Sequence, residues 1–134
     1  PQTQDGLALR HCLEVRHPSF ADPRFIGMCR DRGMAICVAD HETFPLIPDV
    51  TADFVYLRLM TGKDEIPTAY PPAELDGWVE RMKAYATGEV PADFKPVDRT
   101  SPPAGPREVF AFVIHEGKVR APAGAMAIIE RAKA

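Results

Sequence analysis

One almost entirely apolar run, residues 34–39, limits the folds open to this chain more than any other feature. Asp40 ends the run. A strand with one wet face alternates apolar and polar residues, whereas an unbroken apolar run is typical of a strand buried on both faces. Such strands occur mainly in parallel sheets that are covered on both sides. The run therefore predicts an α/β protein built on a parallel sheet.

The rest of the chain alternates strand and helix patterns around this run. Further strands are predicted at residues 10–16, 54–60 and 108–114, and helices at residues 20–32, 72–85 and 123–132. The order is β-α-β-loop-β-α-β-α, because no helix pattern lies between Asp40 and Phe54. Alternation of this kind predicts parallel strands joined by right-handed crossovers.

The helix predictions depend on apolar spacing and on end signals. In the second helix the spacing is i, i+3, i+4, i+7, and Gly88 follows its end; the apolar residues are Leu75, Trp78, Val79 and Met82. In the first helix Pro23 suits the first turn, and the residues expected to face the sheet are Phe25, Met28 and Cys29.

Two segments carry no clear element. Residues 1–9 are expected to be a lead-in. Residues 89–107 contain Pro91, Pro96, Pro102, Pro103 and Pro106, which predicts an exposed surface segment with little regular structure. Residues 1–134 together are expected to form a single domain.

Composition excludes several classes of function. The net charge is −3 with no long basic run, so electrostatic binding of duplex nucleic acid is not indicated. No apolar run approaches the roughly 20 residues of a membrane span. The three cysteines form no metal-binding or redox spacing, which predicts buried free thiols in a cytoplasmic protein. The sequence assigns no cofactor.

Polar residues gather where the predicted strands end. Because parallel strands end at one edge of a sheet, these residues are expected to converge; they are Glu14, Arg16, His17, Asp40, Arg58 and His115, with Tyr70 in a loop at the same edge. Arg16 and Arg58, assisted by Tyr70 and His115, would bind a carboxylate or phosphate.

Catalysis at this edge would fall to Glu14, Asp40 or His17 as acid or base. The alternative is an internal salt-bridge network that only satisfies buried charge. A metal would need ligands such as Glu14, Asp40 and His115, but no zinc-type spacing is present, so no metal site is predicted.

Several segments together resemble the YecE-like proteins, the domain of unknown function 72 family. They are Glu14-Val15-Arg16-His17-Pro18-Ser19-Phe20, Ala39-Asp40, residues 52–59, Tyr70 and Leu75 ahead of Trp78, residues 109–112 and residues 121–123. The resemblance implies a TIM-type (β/α)8 barrel, with this chain supplying its C-terminal half. Two departures concern Met60-Thr61-Gly62, where many members have His-Gly, and residues 114–118, where many have an Asn-rich turn.

The resemblance implies an incomplete barrel. A TIM barrel has eight strands in about 250 residues, whereas four strands are predicted here, so an N-terminal half-barrel or a second chain is expected to complete the fold. The leading functional hypothesis is an enzyme acting on a small anionic substrate, such as a carboxylate, a phosphate or a nucleotide-like compound. The alternatives are a non-catalytic ligand-binding or interaction module, and a fragment that needs its N-terminal half for any site.

Overall fold

A four-stranded parallel sheet forms the centre of the molecule. The structure is a computed structural model that describes residues 3–100, 102, 104–114 and 118–134. A short antiparallel hairpin, β1 (Thr3–Gln4) and β2 (Leu7–Ala8), precedes the sheet. The sheet follows in chain order with β3 (Cys12–Leu13), β4 (Ala35–Asp40), β5 (Phe54–Leu59) and β6 (Glu108–Val113). All three strand pairs in it are parallel, which confirms the predicted α/β class.

The N-terminal part departs from the sequence prediction in two ways. The predicted lead-in contains the β1–β2 hairpin, whose turn places Asp5 and Gly6 at φ 51° and 78°. An Asp-Gly pair is a recognised signal for this kind of turn. The first strand of the sheet is also shorter than the predicted residues 10–16, since its pairing to β4 covers only Cys12 and Leu13.

Three α-helices pack on one face of the sheet, called here the outer face. They are α1 (Pro23–Asp31), α2 (Pro72–Thr87) and α3 (Ala121–Lys133), and a 3-10 turn spans Pro18–Phe20. Helix α1 begins later than predicted because the Asp22 carboxylate accepts the Arg24 backbone N–H at 2.8 Å and caps the helix. With that start, Ile26 is buried and Met28 is 41% exposed, so the prediction that Met28 faces the sheet was wrong.

The core lies between the outer face and these helices. Alternate residues of β4 and β5, including Ile36, Val38, Val55, Leu57 and Leu59, are buried on this side. Helix α2 covers part of it with the predicted stripe, in which Leu75, Trp78 and Val79 are buried. Each such side chain contributes about 1.5–3 kcal/mol through burial.

The connection between β4 and β5 has no helix, as the sequence predicts. Apolar side chains of the proline-rich segment instead pack on the outer face of these strands. Val90 and Phe94 pack against the cluster that includes Val38 and Val55, and Val97 packs against the cluster that includes Ile36. The described part of residues 89–107 holds no helix or strand. The described part of the segment is therefore irregular, and three of its apolar side chains pack on the outer face.

Asp49 fixes the proline-rich segment to the β4–β5 connection. It is 3% exposed, and its two carboxylate oxygens each accept a backbone N–H at 2.8 Å, from Val97 and from Asp98. The Asp98 carboxylate in turn pairs with Arg30 of α1 at 2.7 Å. Side-chain hydrogen bonds thus hold a segment that lacks its own regular structure.

Candidate functional site

The opposite face of the sheet, called here the open face, carries a cleft of about 480 Å³. The strand register explains which residues line this cleft, because Arg58 lies beside Phe112 and Tyr56 lies beside Cys37 on neighbouring strands. Side chains of adjacent parallel strands at matching positions share a face. The lining residues are Cys12, Glu14, Cys37, Tyr56, Arg58, Phe112 and Ile114.

An ion-pair network of Glu14, Arg16 and Arg58 forms the polar part of this site. Glu14 Oε1 accepts hydrogen bonds from Arg16 Nε at 3.1 Å and from Arg16 Nη2 at 2.9 Å. Glu14 Oε2 accepts a hydrogen bond from Arg58 Nη1. The sequence predicts that these three residues converge, and the structure places them within hydrogen-bond distance, with Glu14 and Arg16 just after β3 and Arg58 near the end of β5.

The network keeps Glu14 ionised. Partial burial acts to raise the pKa of the Glu14 carboxyl, but the hydrogen bonds and charges of Arg58 and Arg16 outweigh it, so the pKa lies below the ordinary value. The same bond to Glu14 raises the pKa of Arg58. At neutral pH the group therefore holds one carboxylate and two guanidinium ions.

Stability is expected to depend on the ionisation of Glu14. Because the pKa of Glu14 is lower in the folded state than in the unfolded state, the unfolded state binds more protons. The contribution of ionised Glu14 to the free energy of unfolding is therefore complete above the ordinary pKa of 4.5, and it is lost as pH falls through the depressed folded pKa. The free energy of unfolding should therefore differ most between the wild type and Glu14→Gln above about pH 5, and the difference should shrink at lower pH. Urea titrations from about pH 3 to pH 6 measure it, with the exposed Glu65→Gln as control for the loss of one carboxylate. A difference between the wild type and Glu14→Gln that does not vary with pH would contradict the expectation.

Arg16 has an aromatic neighbour that the sequence did not indicate. Its guanidinium lies over the Phe44 ring at 4.8 Å, and Phe44 stacks on the His41 ring with centroids 3.6 Å apart. The His41 ring Nδ1 accepts the backbone N–H of Thr43 at 3.1 Å. A cation over an aromatic face is attracted by the ring quadrupole, so Phe44 helps to hold Arg16 near Glu14.

Asp40 and Tyr70 form a second group, separate from the walls of the cleft. Asp40 Oδ2 accepts the Tyr70 hydroxyl at 2.9 Å and the Thr61 hydroxyl at 2.6 Å. Tyr70 is only 1% exposed, and burial raises the pKa of its hydroxyl well above the ordinary value. Its contacts are those of a residue that joins the 61–70 loop to the end of β4, and the ligand contact expected of Tyr70 stays a prediction.

The two histidines of the predicted site have different positions. The exposed His17 caps the 3-10 turn, because its Nδ1 accepts the Ser19 backbone N–H at 3.2 Å. His115 lies outside the described residues. Within the described ranges, no group of three or more His, Cys, Asp or Glu side chains is arranged to hold a metal ion.

Sequence reasoning assigned no site role to five of the residues that line the cleft with Glu14 and Arg58. They are Cys12, Cys37, Tyr56, Phe112 and Ile114. Their positions follow from the period of two along each strand, counted from the polar residues at the strand ends. To predict that these residues line one cleft, the order and the register of the strands would have been required.

A larger hollow of about 700 Å³ lies beside the proline-rich segment. Its wall includes Thr100 and Pro102, which flank Ser101, a residue outside the described ranges. Arg30, its most buried cation, is held by Asp98 and by the Val50 carbonyl oxygen at 3.1 Å. No site is assigned there.

The comparisons with known proteins identify a family. None of the helices in the described ranges has the length and apolarity required to cross a membrane. No curated protein and no solved structure matches the chain. A family model described as "Protein of unknown function DUF72" matches residues 3–134, nearly the entire chain. The chain therefore belongs to the domain of unknown function 72 family, as the resemblance in its sequence implied.

Proposed function

We propose that the cleft on the open face binds a small anionic ligand carrying a carboxylate or phosphate group, nucleotide-like compounds included. The observation that carries this proposal is the convergence of Arg16 and Arg58 on one carboxylate, Glu14, near the C-terminal ends of β3 and β5. Two positive charges and one negative charge leave a formal excess of one positive charge at the site. An anion would be attracted to that excess.

The arginines are suited to this role by chemistry and by access. A guanidinium presents several N–H donors in a planar fork that matches carboxylate and phosphate oxygens. The Arg16 side chain is 66% exposed and that of Arg58 is 27% exposed, so both are in contact with solvent. Arg58 lines the cleft, and Arg16 is bonded to Glu14, which also lines it. A ligand could therefore take hydrogen bonds from both without rearrangement of the core.

Catalysis is the second candidate function, with Glu14, Asp40 and His17 as its acid or base. The position of the cleft supports it, because enzymes built on parallel β/α units carry their sites at the C-terminal ends of the strands. The hydrogen bonds favour binding instead, since Glu14 is paired with arginines, Asp40 with Tyr70 and His17 with its own turn. We place anion binding first for that reason.

We propose further that the four strands are half of a TIM-type barrel, completed by an N-terminal half-barrel or a second chain. The sheet has the in-order parallel arrangement that such a barrel requires. In the described residues β3 and β6 each pair on one side only, and Phe112 of β6 is 46% exposed on the open face. Unpaired parallel edges and an exposed aromatic ring support further strands at these positions.

Arg58→Gln is expected to weaken anion binding more than it weakens the fold. Calorimetric titration with inorganic phosphate, and separately with succinate, should show a loss of roughly tenfold or more, the effect of removing one charged hydrogen-bond donor. Arg131→Gln is the matched control, because Arg131 pairs with Asp76 away from the cleft. A large fall in melting temperature with unchanged affinity would favour a purely structural salt-bridge network.

The half-barrel proposal predicts the mass of the assembled protein. Sedimentation equilibrium should give a mass above that of one 14.8 kDa chain, because the open face is expected to be covered. A stable, soluble monomer of 14.8 kDa that does not self-associate would contradict the proposal.

A further inference from the structure

The open face carries two pairs of aromatic rings along β5 and β6. Phe54 and Phe110 lie nearer the N-terminal ends of these strands, and their ring centroids are 6.0 Å apart. Tyr56 and Phe112 each follow two residues later, where side chains return to the same face. Their rings are stacked, with centroids 4.8 Å apart and an angle of 26° between the planes.

The protein itself supplies a cation for the first pair. The Arg10 guanidinium lies over the Phe54 and Phe110 rings, 5.0 and 5.1 Å from their centroids, and is paired with Glu108. A cation over an aromatic face is attracted by the ring quadrupole. Phe54 is only 5% exposed, so this end of the open face offers little aromatic surface to a ligand.

The second pair, Tyr56 and Phe112, is more open. Among the described residues, the ring contacts of Tyr56 and Phe112 are with each other, and Phe112 is 46% exposed. Both residues line the cleft together with Arg58. An accessible aromatic ring beside a guanidinium suits a ligand that has both a flat apolar part and a negative charge.

We propose that the ligand of the cleft is an aromatic anion, an aromatic ring that carries a carboxylate or phosphate group, with its ring against Phe112 and its acidic group at Arg58. This inference rests on the proposed function, because it assigns the negative charge to the same arginine. It narrows the class of ligand from small anions in general to those with an aromatic ring. Inorganic phosphate and succinate would bind through the arginines alone and more weakly.

Strand register sets the distance between the ring and the charge of such a ligand. Arg58 and Phe112 are direct partners on neighbouring strands, which lie about 4.8 Å apart. A ring on Phe112 therefore places its acidic group near the Arg58 donors when that group is attached directly or through one or two atoms. The cleft volume of about 480 Å³ lies within the range of roughly 300–1,000 Å³ that is usual for small-molecule sites.

Stacking favours an aromatic ring over an aliphatic ring of similar size. Tyr56 and Phe112 are already stacked, so a ligand ring placed on Phe112 would extend the stack. Contacts between aromatic rings contribute roughly two- to tenfold in affinity beyond the burial of apolar area. A cyclohexyl ring would retain the burial and lose this contribution.

Calorimetric titration of the native chain with matched pairs of ligands tests the proposal. Phenyl phosphate is expected to bind roughly two- to tenfold more tightly than cyclohexyl phosphate, which has the same charge and a similar size. Benzoate and cyclohexanecarboxylate repeat the comparison with a carboxylate and show which acidic group the site prefers. Inorganic phosphate, titrated in parallel, measures the contribution of the arginines alone.

A substitution in the cleft and a matched control test the position of the ring. Phe112→Leu keeps an apolar side chain but removes the aromatic ring, so phenyl and cyclohexyl phosphate should bind equally well while the affinity for inorganic phosphate is unchanged. Phe20→Leu removes another exposed ring, which contacts Phe25 and does not line the cleft. This control should keep the wild-type preference for phenyl phosphate.

The outcomes separate the aromatic ligand from the proposed function. If none of these anions binds, both are wrong. If inorganic phosphate binds but phenyl phosphate binds no more tightly than cyclohexyl phosphate, only the aromatic ligand is wrong. It is also wrong if the preference for phenyl phosphate persists in Phe112→Leu, and a lower mass of that variant in sedimentation equilibrium would then assign Phe112 to a contact between copies of the chain.

Discussion

Asp49→Ala is expected to reduce the free energy of unfolding by about 3 kcal/mol, because a buried carboxylate would no longer accept two backbone N–H groups. The two hydrogen bonds are those from Val97 and Asp98 at 2.8 Å, and Asp49 is 3% exposed. A loss of this size is a large part of the 5–15 kcal/mol that is typical of a domain. Urea unfolding measures it, and limited proteolysis within residues 89–100 should show a loosened segment.

Matched variants make this result specific to the hydrogen bonds. Asp53→Ala removes an exposed carboxylate from the same connection and should change stability by less than about 0.5 kcal/mol. Asp49→Asn keeps one acceptor oxygen and should show an intermediate loss. Equal stabilities of Asp49→Ala and Asp53→Ala would show that Asp49 does not anchor the proline-rich segment.

Gly88→Ala is expected to reduce the free energy of unfolding by roughly 2–4 kcal/mol, from a strained backbone and from a clash. Gly88 ends helix α2 at φ 102°, a conformation that residues with a Cβ rarely adopt. A Cβ there would lie 2.5 Å from the carbonyl oxygen of Gly105, which is backbone and cannot rotate aside. Thermal and urea unfolding of the variant measure the loss.

Gly27→Ala provides a control of opposite sign. Gly27 lies within helix α1, and a Cβ at this position would meet nothing within 4 Å. Alanine is the better helix former, so this change should raise the free energy of unfolding by up to about 1 kcal/mol. If Gly88→Ala were as stable as Gly27→Ala, the close approach of Gly105 to the end of α2 would be refuted.

Patterns local to each segment predicted most of the fold. The apolar run over residues 34–39 and the stripe of Leu75, Trp78 and Val79 correspond to β4 and to the buried side of α2. Contacts that local patterns do not encode were missed. The role of Asp49 depends on Val97, 48 positions away, and nothing near Asp49 in the sequence indicates that partner.

In the candidate site, too, some residues follow from local patterns and others depend on contacts that local patterns do not encode. Glu14, Arg16 and Arg58 were predicted together because each lies at or just after the end of a strand, and parallel strands end at one edge. Tyr70 also lies after a strand, but the direction of its side chain depends on the fold of the loop, and its hydroxyl bonds Asp40. That Cys12 and Cys37 line the same cleft depends on inter-strand register, which composition and spacing do not give.

Val90, Phe94 and Val97 pack against the outer face of β4 and β5, and this packing limits where the chain can be cut or recombined. Repeated β/α units usually carry their own helix, so a chain of such units can often be shortened or recombined at unit boundaries. Here β4 and β5 receive part of their covering layer from a segment that follows α2, in addition to residues of α1 and α2. During synthesis part of the apolar surface of this strand pair would stay uncovered until residues 90–97 leave the ribosome. A recombination boundary placed between β5 and residue 89 would separate the strand pair from these covering side chains.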